Sequence, residues 1–212
     1  MLMFQRGKYI AFYLGDPKIK CHVDAVHSKG PQADINTRNL VEHIIQNTGC
    51  SGIYALISRK DMDLNRPLND SNTPAIMKFR EAIHSILKHL KILNENEKLM
   101  EPYLQFALHG MKNYPDKEIE IGTRNNQTCS QDIFLWFKGQ LEYCCEDIFK
   151  RKLKIKYNQQ FIGDDSKAVH RQKYGNFFNT IQIEINKTLR TKNFDNIVEV
   201  LSKIIKNFNK TV

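Results

Sequence analysis

Apolar residues recur along the chain with two periods, and the switches between them mark the predicted elements. Tyr9 to Leu14 is a short apolar run that reads as a strand. Gly15-Asp16-Pro17 is a turn signal, after which Ile19, Cys21 and Val23 alternate with polar residues as in a second strand. A loop from His27 to Asp34 follows, and Thr37 is placed to cap a helix burying Leu40, Val41, Ile44 and Ile45. Ile53 to Ile57 reads as a buried strand, and Ser58 to Asn72 as a loop rich in Asn, Asp and Arg. Thr73 then acts as an N-cap with Pro74 at the first helical position, on a helix whose inner face is Ile76, Phe79, Ile83, Ile86, Leu87 and Leu90. Tyr103 to Leu108 forms a strand ending at His109. Ser130 caps a helix that turns Ile133, Phe134, Phe137, Leu141, Cys144 and Ile148 inward. Lys152 to Tyr157 alternates as a strand with its lysines outward, and Ile181, Ile183 and Ile185 alternate with Gln182 and Glu184 in another. A last helix carries Phe194, Ile197, Val198, Leu201, Ile204, Ile205 and Phe208 on one stripe. Strands alternating with helices predict an α/β layered architecture.

Length and composition narrow this further. The 212 residues contain no internal repeat and no long polar linker, so one domain over residues 1–212 is expected. Hydrophobic residues make up 41% and charged residues 26%, which argues against a disordered chain. The segment Met1 to Gly7 lacks a charged region followed by an apolar run, and no apolar stretch approaches the roughly 20 residues needed to span a bilayer, so neither signal peptide nor membrane span is expected. The five cysteines, Cys21, Cys50, Cys129, Cys144 and Cys145, form no C-x-x-C pair, which suits reduced thiols and a cytoplasmic location. The net charge of +9 permits an anionic substrate or nucleic acid. The basic run from Lys150 to Lys156 reads as a solvated strand face, so nucleic acid is not the expected partner.

Polar residues that follow strands are the candidates for chemistry, because ligands in α/β folds gather at the carboxyl ends of strands. His27, Arg59 and His109 hold such positions. His27 and His109 with Asp34 would make a catalytic zinc set, three protein ligands and one position left for water. Spacing alone leaves each histidine readable as a core or surface residue, and Asp34 as the polar start of the next helix. In the run Arg59 to Arg66, one guanidinium is suited to polarise a carbonyl and the other to grip a carboxylate, unless the loop is a solvated one with internal ion pairs. Glu184, between Ile183 and Ile185, is either paired, raised in pKa as a general base requires, or turned outward on an edge strand.

Four blocks, in order over about residues 20 to 190, resemble the N-formylglutamate amidohydrolase family, related to aspartoacylase and the zinc carboxypeptidases. Val26-His27-Ser28-Lys29-Gly30 is similar to the family's Pro-His-Ser-Gly loop, with Val26 in place of the proline. Ser58-Arg59 through Asp63-Leu64-Asn65-Arg66-Pro67 matches its Ser-Arg and Asp-Leu-Asn-Arg-Pro block. Leu108-His109-Gly110, then Glu120 to Thr123, follows its His and Gly-Thr pattern, and Tyr174-Gly175 with Ile181-Gln182-Ile183-Glu184-Ile185 resembles its ending. The chain is short for this family.

The resemblance implies a three-layer α/β fold, phosphorylase/hydrolase-like and zinc carboxypeptidase-like, with a mixed central sheet flanked by helices. It implies zinc held by His27, His109 and Asp34, with Asp24 as the competing carboxylate. Arg59 would stabilise the oxyanion, Asn65 and Arg66 would hold the substrate carboxylate, and Glu184 would be general base and then proton donor. The expected activity is hydrolysis of an N-acyl amino acid such as N-formylglutamate, a small anionic substrate. The alternatives are a peptidase or polyglutamate hydrolase using the same zinc site, and a basic non-catalytic binding protein on the same fold.

Overall fold

The computed structural model describes residues 2–163 and 165–211. Its strands are β1 (Gln5–Arg6), β2 (Ile10–Tyr13), β3 (Cys21–Ala25), β4 (Ser51–Ala55), β5 (Tyr103–Met111), β6 (Ile119–Gly122), β7 (Ile155–Tyr157) and β8 (Phe178–Asn186). Its helices are α1 (Thr37–Thr48), α2 (Thr73–His89), α3 (Gln131–Phe149), α4 (Asp165–Tyr174), α5 (Lys187–Thr191) and α6 (Phe194–Thr211). The strands form one mixed sheet in the order β1-β2-β4-β3-β5-β8-β6-β7. The β4-β3-β5-β8 centre is parallel, while β2 and β6 run antiparallel to β4 and β8.

Side chains alternate across a strand, and here both sets are buried because helices cover both faces. Cys21, Val23, Ala25, Leu104, Phe106, Leu108, Ile181, Ile183 and Ile185 pack with the inner stripes of α1, α3 and α6. Phe106 and Phe137 meet edge to face at 5.4 Å. On the opposite face Ile53, Ala55, Tyr103 and Phe178 pack under α2. That face turns polar toward the centre, where His22, Asp24, Gln105, His109, Thr180, Gln182 and Glu184 are all buried. The three-layer α/β reading therefore holds, and β8, lying between β5 and β6, excludes an edge-strand Glu184.

Several boundaries differ from the sequence reading. β5 runs on to Met111, since Leu108 to Met111 pair with Ile183 to Asn186 of an equally long β8; His109 lies inside the strand. β4 runs from Ser51, two residues after Gly49 turns the chain at φ 76°, to Ala55, whose partner is Ile10 at the start of β2, and Leu56 and Ile57 fall outside it. Thr37 and Thr73 are first helical residues, with Asn36 and Asn72 at the N-cap; their hydroxyls donate backward to Asp34 O (2.8 Å) and Asn69 O (2.7 Å). Ser130 caps α3 as expected, accepting from Ile133 N–H. β1, β6, α4 and α5 were not anticipated; each is short or, in α4, too polar to show a stripe. The five cysteines are free and buried. Among the described residues no helix is long and apolar enough to cross a membrane.

Ile183 is fully buried in the sheet centre. Ile183→Ala should lower unfolding stability by about 2–5 kcal/mol, read from the denaturant midpoint at unchanged slope; a loss below about 1 kcal/mol would contradict this packing.

Candidate active site

The polar face of the sheet opens where the parallel strands end. β3 delivers the chain to His27, and the following loop closes on itself through Asp34 N–H to His27 O at 2.8 Å. Asp34 O then accepts the N–H and hydroxyl of Thr37 at the start of α1. The Asp34 main chain thus prepares the helix while its carboxylate turns toward the strand ends. Asp34 Oδ2 accepts Gly110 N–H at 3.0 Å, and Oδ1 is hydrogen-bonded to the Arg59 guanidinium. His27 Nδ1 lies 3.6 Å and His109 Nδ1 3.7 Å from Asp34 Oδ2.

These spacings fit a metal. The donor atoms of His27, Asp34 and His109 all lie within 4.8 Å of one another. A tetrahedral zinc with bonds of about 2.0–2.1 Å sets its ligand atoms roughly 3.4 Å apart. His27 Nδ1 is buried without a hydrogen-bond partner, which is unusual for a polar atom in a folded interior. The other nitrogen, Nε2, lies 2.7 Å from Asp63 Oδ1. With the Nε2 proton held by Asp63, Nδ1 presents its lone pair to the other two donors, the arrangement that supports a metal-ligating histidine.

Charge is balanced tightly here. Burial acts to raise the Asp34 pKa, but His109, His27 and Arg59 outweigh it and hold the carboxyl well below the usual range. Burial acts to lower that of His27, and the carboxylates of Asp34 and Asp63 override it, leaving the imidazole above its ordinary value. Asp63 is brought down to about 2, with His27, the Asn65 N–H and Arg66 overcoming burial.

Every site residue anticipated from the sequence lines one cavity of about 470 Å³: His27, Asp34, Arg59, Asn65, Arg66, His109 and Glu184. Glu184 stands beside His109 in the β5–β8 register and accepts from Gln182 Nε2 at 3.1 Å. Asp24 is placed elsewhere. It sits on β3, accepts from Gln105 Nε2 at 2.6 Å, and is not grouped with the two histidines. Asp63 was overlooked although it lies in the Asp-Leu-Asn-Arg block. It accepts the Asn65 N–H at 2.8 Å, an Asx turn that the pattern Asp-x-Asn permits, and thereby fixes both the turn and His27.

The far wall, Gln160 to Gly163 with Arg124, was also missed. It is anchored by Glu120, a fully buried residue of β6. Glu120 Oε1 accepts the N–H groups of Gln159, Gln160 and Phe161, and Oε2 pairs with the buried Lys117 ammonium at 2.6 Å. Burial tends to raise the Glu120 pKa, but Lys117 and these amides bring it below the usual value.

No protein family and no curated protein matches the chain by sequence. Solved structures do match. An N-formylglutamate amidohydrolase from Ralstonia eutropha JMP134 superposes with TM-score 0.69 at 14% identity, over 96% of this chain and 98% of that one. The chain has the fold of that enzyme. A bacteriophage poly-gamma-glutamate hydrolase matches with TM-score 0.54 at 12% identity, over 98% of this chain and 93% of that one. A succinylglutamate desuccinylase from Chromobacterium violaceum matches with TM-score 0.53 at 11% identity, over 93% and 67%. The resemblance carried by the four sequence blocks thus reappears in the three-dimensional neighbours. The near-complete coverage of the Ralstonia chain means that the shortness noted above leaves out no large part of that fold.

Removing one partner of a buried ion pair strands the other. Glu120→Gln should destabilise the protein by about 3 kcal/mol and speed proteolysis within residues 158–163. Adding Lys117→Met should recover part of the loss. Equal losses in the single and double variants, measured by denaturation, would mean that the pair does not anchor this wall.

Proposed function

We propose that this protein is a zinc-dependent amidohydrolase cleaving the amide of an N-acyl amino acid, with N-formylglutamate as the model substrate. The observation that carries this reading is the meeting, in one cavity, of the His27–Asp34–His109 group with Arg59, Asn65, Arg66 and Glu184. His27, Asp34 and His109 would hold the ion, and Asp63 would orient His27. A zinc ion bound there supplies a Lewis acid and lowers the pKa of water to about 7. The remaining chemistry belongs to the side chains. Arg66, with Asn65 beside it, binds the substrate carboxylate through its planar fork. Arg59 turns donors toward the oxygen that gains charge as the carbonyl is attacked; its Nε is buried without a hydrogen-bond partner. Glu184 takes the proton given up by the attacking water and delivers it to the nitrogen as the C–N bond breaks. The products are a carboxylate and a free amine.

One observation favours a second reading with longer substrates. Arg66 is 67% exposed at its side chain, and Arg59, Arg66 and Arg124 all border the cavity, so an extended acidic chain such as a polyglutamate has cations to follow.

Metal analysis with turnover on a panel of N-acyl amino acids and γ-linked glutamate peptides decides between these readings. Stoichiometric zinc with hydrolysis of the short substrates supports the first. Hydrolysis of the γ-linked peptides but not of the short substrates supports the second, and a chain that neither retains zinc nor hydrolyses any of them overturns both. Glu184→Gln should keep the zinc and lose roughly 10² to 10⁴ in kcat; near-normal turnover would place the base elsewhere. Asp63→Ala should weaken zinc binding about 10- to 100-fold, measured by chelator competition. Unchanged affinity would remove Asp63 from the site's support.

A further inference from the structure

Arg190 lies outside the cavity, yet its partners all come from the segments that form it. It belongs to the short α5, entered directly from β8, where Asn186 Oδ1 accepts the Leu189 N–H at 2.8 Å and turns the chain back under the strand ends. The side chain is 4% exposed. Its Nε donates to Ile185 O at 2.9 Å, one guanidinium nitrogen to Met111 O at 3.2 Å, and the other to Ile35 O. Ile185 follows Glu184, Met111 stands two residues after His109, and Ile35 follows Asp34. Gly110 makes room for this contact, because a Cβ there would lie 2.5 Å from the guanidinium carbon. The Gly110 N–H is the group that donates to Asp34 Oδ2. From the other side, Asn36 Nδ2 donates to Arg190 O at 2.8 Å.

We propose that Arg190 is a positioning residue, whose guanidinium ties the segments carrying Asp34, His109 and Glu184 into one frame. This rests on the proposed zinc site for its consequence, but the frame itself is a property of the chain. A planar fork suits the task, since its donors point in fixed directions to separate carbonyls. A lysine keeps the charge but offers one compact ammonium, and cannot serve all of them in place. The metal group would then lose the sub-ångström definition that ligand sets require.

Arg190→Lys tests this against Arg171→Lys. Arg171 also gathers acceptors, Asn176 O, Phe178 O and Asn179 Oδ1, but at the opposite end of β8. Two readouts are needed: zinc affinity by chelator competition, and hydrogen exchange of the Gly110 amide in metal-free protein. Arg190→Lys should weaken zinc binding about 10- to 100-fold and speed Gly110 exchange about 10-fold or more. Arg171→Lys should change neither. Wild-type Gly110 protection in folded Arg190→Lys, or equal effects in both variants, overturns the proposal. Should Arg190→Lys fail to fold, Asn36→Gly replaces it. Asn36→Gly keeps the left-handed backbone at φ 67° but releases only the Arg190 main-chain carbonyl. Gly110→Ala is therefore paired with it, since a Cβ there would lie 2.5 Å from the guanidinium carbon and displace the fork, and wild-type zinc affinity in folded Gly110→Ala overturns the proposal instead. A wild-type chain that binds no zinc refutes the proposed function, while the Gly110 readout still decides the role of Arg190.

Discussion

A carboxylate withdrawn from water must find its partners within the protein, and in this fold that demand centres on Asp34. Its two oxygens are met from separate parts of the chain: the Arg59 guanidinium after β4, the Gly110 N–H inside β5, and the imidazoles of His27 and His109 close by. Only the His27 contact lies within the same loop; those with Arg59, His109 and Gly110 are distant in sequence. The distant ones exist only when β3, β4 and β5 lie side by side in the observed register. The buried anion therefore selects one arrangement of loop 27–34 against the sheet, and the same arrangement aligns the donors suited to a cation. Removing Asp34 would leave the His27 and His109 imidazoles and the Arg59 guanidinium without the anion they share.

The second constraint is the pairing of acidic residues across the sheet. Glu184 of β8 stands directly opposite Glu120 of β6. Like charges in that position repel, so the two need different surroundings. Glu120 is closed off by Lys117 and by amides of the loop it anchors. It is a fixed structural anion, fully buried and not among the residues that line the cavity. Glu184 faces the cavity beside His109. One strand pair thus supports both the wall and the proposed proton carrier, by giving adjacent carboxylates unequal company.

How far the sequence could be read follows from this geometry. Alternation of Ile181, Ile183 and Ile185 is enough to turn Glu184 away from the face covered by α1, α3 and α6, and the structure keeps that separation. The two histidines and the Asp-Leu-Asn-Arg block were recognisable through the ordered resemblance of the four blocks, since spacing alone left each histidine open to a core or surface reading. Asp63 was not, because its task is a contact with His27 across 36 positions, invisible to any local pattern. β6 was missed for a related reason: Glu120 interrupts its apolar run, and only the distant amides that satisfy it make a buried strand tenable there. Arg190 read as one basic residue among many in a chain of net charge +9. Buried charges defeat sequence patterning in general, since the partners that permit burial come from elsewhere in the fold.

That dependence couples ligand binding to folding. His27, Asp34, Asp63, His109 and Glu184 come from segments up to 157 residues apart, so the unfolded chain cannot hold them together. A ligand that needs the whole set binds the native state alone and stabilises it in proportion to the logarithm of its concentration over Kd. The same logic runs in reverse. The close approach of His27, Asp34 and His109 in the folded chain is upheld by bonds that involve no metal: Asp63 on His27, Gly110 and Arg59 on Asp34, and Arg190 on the residues that follow Asp34 and His109. The folding energy of the sheet is therefore what holds the donors in place beforehand, and a cation entering the site meets ligands whose ordering entropy has already been lost.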